Sequence, residues 1–248
     1  MDSQEPVIVI ENLCKSFGTQ KVLQDFNLTL HKGENVVVLG KSGSGKSVLI
    51  KCVVGLLEKD AGTIQVLGKN ISELTHEGLD ELRVKIGFLF QNSALYDSMT
   101  VRENLEFPMR RHWFSLSEKE TGALVEEALN NVGLLHAIDM MPADLSGGMR
   151  KRIGLARTLI LKPEIVLYDE PTTGLDPVTG REIVQLMMHL QKKYNTSSII
   201  ISHDMQVAKS TADKIVVLVD GKNYAEGTFE SLSKINDPKV KQFFEFAI

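Results

Sequence analysis

Along the chain the pattern of apolar and polar positions changes character twice. At the start it is strand-like: VIVIENL (residues 7–13) and Val22–Leu30 read as strands, followed by a Lys32-Gly33-Glu34 turn. Val36–Leu39 is a short, wholly apolar run that leads into a glycine-rich loop. Ser47–Leu57 then has helical spacing, and GTIQVLG (62–68) reads as another strand. From about Asn92 to Lys162 strand signals vanish. VRENLEFPMRRHW (101–113) and SEKETGALVEEALNNVGL (117–134) predict helices, the second capped by its serine. After Pro163 the β/α alternation returns with EIVLYDE, a helix from about Val178 to Tyr194, and SSIIISHD. Asp220-Gly221 predicts a tight hairpin, and Phe229, Leu232, Ile235, Val240, Phe243 and Phe244 predict two short amphipathic tail helices. The expectation is an α/β core with a parallel sheet, interrupted by a helical insert.

Composition narrows what such a fold can serve. With 248 residues, 43% hydrophobic and 24% charged, this is an ordinary globular chain of one or two domains. A formal net charge of −4 gives no global basic field for nucleic acid, and none is expected as a partner. Cys14 and Cys52 lack metal-ligand spacing and read as reduced packing residues, which favours a cytosolic setting. The acidic start, MDSQEPVIVIENL, does not read as a signal peptide. Runs such as Ile215–Val219 are too short to cross a bilayer, so a membrane role is expected to come through a partner.

Residues 40–47 are GKSGSGKS, which fits G-x-x-x-x-G-K-[ST] between a strand and a helix. Gly40, Lys41, Ser42, Gly43, Ser44, Gly45, Lys46 and Ser47 are therefore candidate phosphate-binding residues. The glycines free the backbone to turn its amides inward; Lys46 is expected on the β- and γ-phosphates and the Ser47 hydroxyl on Mg²⁺. A second strand, IVLYDE (165–170), ends in two carboxylates, and the carboxyl ends of such strands are where ligands bind. Asp169 is expected to organise Mg²⁺. Glu170, expected to point the opposite way along the strand, is the candidate general base for an attacking water.

The stretch LSGGMRKRIGLAR (145–157) is a poor helix start, because two glycines and a cluster of cations are both unfavourable there. Ser146 reads as an N-cap that, with the amides of Gly147 and Gly148, can donate to a phosphate. Arg150 and Lys151 are expected either in solvent or beside a polyphosphate. Met149 falls on the apolar stripe with Ile153, Ala156 and Ile160.

In this order GKSGSGKS, Gln91, LSGGM, IVLYDEP, GLDP and SHD resemble the ATP-binding cassette (ABC) ATPase domains, over nearly the whole chain. The resemblance implies a P-loop NTPase fold with a RecA-like core, an antiparallel β subdomain and an inserted α-helical subdomain. It implies one nucleotide-binding domain over 1–248, with the helical part at about 92–162 and an amphipathic tail at about 228–248. It also implies ATP and Mg²⁺, and a head-to-tail homodimer in which the phosphate loop of one subunit and the serine-glycine-glycine signature of the other act on one ATP. By the same resemblance Phe17 stacks on adenine, Gln91 senses Mg²⁺ and the attacking water, Asp176 lies in the loop crossing the dimer interface, and His203 holds the γ-phosphate.

Within the family, FQNSALYDSMTVRENLEFPMRRH (90–112), the methionine after SGG and the tail NDPKVKQFFEF resemble the ATPases of Mla/Mce-type phospholipid transporters of bacteria with two membranes. That branch implies a permease dimer, a STAS-domain partner and an MCE-domain lipid-binding protein, with the ATPase peripheral to the cytoplasmic face of the inner membrane. A cassette for another importer or exporter, or a non-transport cassette, shares the general motifs. A P-loop kinase or GTPase shares only GKSGSGKS.

Overall fold

The computed structural model describes residues 5–112 and 115–244. Trp113, the last residue of one expected helix, and residues 245 and 246 of the tail motif lie outside them. The chain divides into two compact units, one made of the stretches up to Arg83 and from Thr196 onward, the other running Val84–Asn195.

The first unit begins with β1 (Pro6–Phe17), β2 (Gln20–His31), β3 (Asn35–Leu39), α1 (Lys46–Val53), β4 (Ala61–Val66), β5 (Lys69–Asn70) and α2 (His76–Val84). β2, β1, β4 and β5 form an antiparallel sheet in that order, and alternate residues of its long strands, such as Ile8, Ile10, Leu28 and Leu30, are buried. The helix expected over Ser47–Leu57 stops at Val53. Gly55 turns left-handed (φ 66°), and the amides of Leu56 and Leu57 fold back on the Lys51 carbonyl.

The second unit holds β6 (Ile86–Leu89), α3 (Val101–His112), α4 (Glu118–Asn131), α5 (Gly147–Leu159), β7 (Ile165–Asp169) and α6 (Pro177–Tyr194). β6 and β7 are parallel, in register from Ile86 opposite Ile165 to Leu89 opposite Tyr168. α4 starts in a capping box, where Ser117 accepts from the Glu120 amide and the Glu120 carboxylate accepts from the Ser117 amide.

On return to the first unit come β8 (Ser197–Ser202), α7 (Met205–Thr211), β9 (Lys214–Val219), β10 (Lys222–Gly227), α8 (Phe229–Leu232) and α9 (Pro238–Phe244). β3 lies between β8 and β9 and is parallel to both. The continuous apolar runs of β3, β7 and β8 suit strands covered on both faces, and all three are buried along their whole length. Asp220 (φ 50°) and Gly221 (φ 75°) make the expected tight turn between β9 and β10. The two expected tail helices are present, and the rings of Phe229 and Phe244 lie 5.4 Å apart between centroids.

Candidate functional site

In the first unit the phosphate loop leaves the carboxyl end of β3 and enters α1. Gly43 (φ 78°) and Gly45 (φ 103°) hold left-handed backbone, and a Cβ on Gly45 would lie 2.9 Å from Val22 Cγ1. Lys46 is buried, and its Nζ donates to the carbonyls of Gly40 (2.7 Å) and Lys41 (3.1 Å), which draws the loop around the amine. The serines and the aspartate at the starts of α4, α5 and α6 cap those helices, whereas Gly45 gives α1 no side-chain cap. The buried Ser44 Oγ has no hydrogen-bond partner. An uncapped helix start, a buried orphan hydroxyl and a cradle that excludes side chains fit a polyphosphate. Gly45→Ala is expected to cost about 1–2 kcal/mol in left-handed strain alone. In a titration with a fluorescent ATP analogue, affinity should fall by roughly tenfold or more.

Two further candidates lie in this unit. Phe17 ends β1 and is 48% exposed, with Lys15 Nζ 5.4 Å from its ring centroid, so it is not a core residue. His203 follows β8 and is exposed, next to Asp204, which caps α7 by accepting from the Gln206 amide.

The second unit carries the carboxylates. Asp169 ends β7 at 7% exposure, and Glu170 follows at 9%. Glu170 does not continue the strand alternation expected from sequence. Its φ of 49° turns the chain out of β7, so its direction is set by a left-handed residue rather than by the pleat. The hydroxyl of Thr173 donates to Glu170 Oε2 at 3.3 Å. Gln91 is exposed, and its backbone carbonyl accepts from Lys151 Nζ.

For Lys151 the solvated alternative does not hold. It is neither solvated nor at the helix surface, but 4% exposed. Burial pushes its amine down to about 8, against the attraction of Asp169 and Glu170. The signal was present in spacing: Lys151 lies four and eight residues before the buried Leu155 and Leu159, on one helix face. A second missed residue is Asn104, whose amide is fully buried. It donates to the carbonyls of Tyr96, Met99 and Thr100 and accepts from the Tyr96 amide and from Arg157.

The signature lines a cleft of about 420 Å³ within this unit, together with Gly174, Asp176 and Thr179. Ser146 caps α5 by accepting from the Met149 amide at 3.2 Å. A Cβ on Gly148 would meet Thr179 Cγ2 at 2.8 Å. Asp176 caps α6, accepting from the Thr179 hydroxyl and from the amides of Val178 and Thr179, and these bonds hold its carboxyl below the usual range. Met149 is half-buried at the edge of the cleft. The structure thus brings Ser146, Gly147, Gly148 and Asp176 together in one unit, while the phosphate loop, Phe17 and His203 belong to the other. Of the cysteines, Cys52 is buried, and burial pushes its thiol up to about 11.

A parallel α/β core, a phosphate loop at the end of one strand and paired carboxylates at the end of another define a P-loop nucleotide hydrolase. Residues 23–173 match the ABC transporter family, and the chain belongs to that family as an ATP-binding cassette ATPase. The probable ribonucleotide transport ATP-binding protein Mkl of Mycobacterium tuberculosis is 39% identical over 236 residues, covering 95% of this chain. The chain spans 66% of the length of Mkl, just short of two thirds. The intermembrane phospholipid transport system ATP-binding protein MlaF of Haemophilus influenzae is 37% identical over 239 residues, 96% of this chain and 90% of MlaF. An ATP-binding cassette solved as a dimer in a post-hydrolysis state with ADP and Pi is 31% identical, with a TM-score of 0.81 over 89% of this chain and 98% of that one.

Proposed function

We propose that this ATPase drives phospholipid transport between the two membranes of a diderm bacterium. In this reading residues 1–248 are one nucleotide-binding domain with a helical subdomain at about 92–162 and a C-terminal tail at about 228–248. It works as a head-to-tail homodimer under a permease dimer, at the cytoplasmic face of the inner membrane. The observation that carries the cargo is the 37% identity with MlaF across 96% of this chain and 90% of that protein. Met149 in the signature and the 90–112 segment add to it.

The chemistry follows from the residues. The loop amides and Lys46 hold the β- and γ-phosphates, and Phe17 stacks on adenine. Ser47, Gln91 and Asp169 offer the oxygen donors that suit Mg²⁺. Bound there, Mg²⁺ neutralises charge on the phosphate oxygens. Glu170 accepts the proton of the attacking water as the water oxygen bonds to the γ-phosphorus and the bond to the ADP oxygen breaks. His203 hydrogen-bonds the γ-phosphate. Ser146, Gly147 and Gly148 act on nucleotide held by the other copy, with Asp176 in the loop that meets it.

A ribonucleotide cargo is the second reading, favoured by the 39% identity with Mkl. Co-purification from membranes and reconstitution in proteoliposomes separates the two. Movement of a fluorescent phospholipid with ATP, absent with Glu170→Gln, is expected; ATP-dependent ribonucleotide uptake without lipid movement would replace the first reading with the second. Mass spectrometry of the same preparation should find the permease together with a STAS-domain and an MCE-domain protein.

A further inference from the structure

One face of α5 holds the segment that begins at Gln91. Lys151 Nζ donates to the Gln91 carbonyl. Three residues on, a Cβ at Gly154 would lie 2.9 Å from Ser93 Cβ and 3.0 Å from Leu89 Cδ1, so the helix backbone meets this segment with no room for a side chain. Three residues further, Arg157 donates to the Ser93 carbonyl at 2.8 Å. Ser93 itself is buried with φ of 60°, a conformation its surroundings must enforce. The attachment at Arg157 is structural in kind, because it ends on the 93–96 turn and on Asn104. That at Lys151 is different. Its buried amine donates to the carbonyl of the residue expected to sense the attacking water. A buried amine needs an acceptor, so the position of the Gln91 carbonyl is set against this one group on α5.

We infer that Lys151 is a positioning residue for hydrolysis, which fixes the Gln91 backbone against α5 and so ties the signature helix to the γ-phosphate-sensing segment. The inference rests on the proposed roles of Glu170 and Gln91. It predicts that losing the amine disorders the start of the 91–96 segment and slows the chemical step, leaving nucleotide binding by the phosphate loop unchanged.

The experiment compares Lys151→Met, Lys151→Gln and Lys151→Arg with the parent and with Glu170→Gln, in the full chain. Measurements are kcat and KM for ATP, together with hydrogen exchange of the amides at 91–96 and within α5. Met and Gln are expected to lower kcat by roughly tenfold or more with KM within about twofold. Exchange should rise at 91–96 while α5 stays protected. Arg, which keeps charge and donors, is expected to recover kcat to within a few-fold of the parent. Wild-type kcat in the Met or Gln variant overturns the inference, as does a joint loss of ATP affinity, or an Arg variant as slow as Met. Gln carries the test if the Met variant does not fold. An inactive parent, or a Glu170→Gln variant at parental rate, would instead overturn the reading on which the inference rests.

Discussion

Glu170→Gln is expected to cut ATP turnover by about 10²–10⁴-fold and leave nucleotide binding intact. The substitution keeps the shape of a nearly buried side chain and an oxygen able to accept from the Thr173 hydroxyl. The left-handed backbone at 170 is unchanged, so geometry survives and only the capacity to take a proton is lost. Single-turnover hydrolysis beside equilibrium binding separates the two effects. Undiminished hydrolysis would remove Glu170 from the role of base. Because the ATP-bound state then persists, gel filtration of this variant with ATP should also show a dimer, and a strict monomer would count against the sandwich.

Gly148→Asp should be nearly as damaging, by a different route. A Cβ there needs Thr179 to shift by several tenths of an ångström, and the new carboxylate would stand where a γ-phosphate is expected to approach. Losing preorganised donors to developing phosphate charge typically costs about 10²–10³-fold. ATP affinity should hold, since the phosphate loop belongs to the other unit. Mixing this variant with Lys46→Ala tests action in trans. Each alone should be inactive, yet a mixed dimer keeps one intact pairing of phosphate loop and signature. A mixture as inactive as its parts would place both motifs in service of the same copy's nucleotide.

Much of this architecture is legible before any coordinates. VVVL (36–39), IVL (165–167) and III (199–201) are apolar without interruption, and such runs read as strands buried on both faces. The phosphate loop is legible because its glycine spacing sits between a strand and a helix, and α4 because Ser117 and Glu120 form a capping box. Weak signals hide the rest. α2 buries only Leu82, so its periodicity is faint, and β6 is four residues long with a glycine forced by the close approach of Thr158. The direction of Glu170 follows from one dihedral angle, which no periodicity encodes. Lys151 is hidden because a cation on an amphipathic helix normally reaches water; only its register with Leu155 and Leu159 marks it as buried.

The amide of Asn104 has a consequence for how this chain can diverge. Its clasp on Tyr96, Met99 and Thr100 measures out the stretch between them, since one planar group meets both ends. Adding or deleting a residue there would strand several buried hydrogen-bonding groups at once, at about 1–3 kcal/mol apiece. Asp97 and Ser98, exposed at the tip, carry no such constraint. The surface offered at this turn is therefore open to change by substitution but closed to change in length, so related chains should align through it without gaps even where its exposed letters differ.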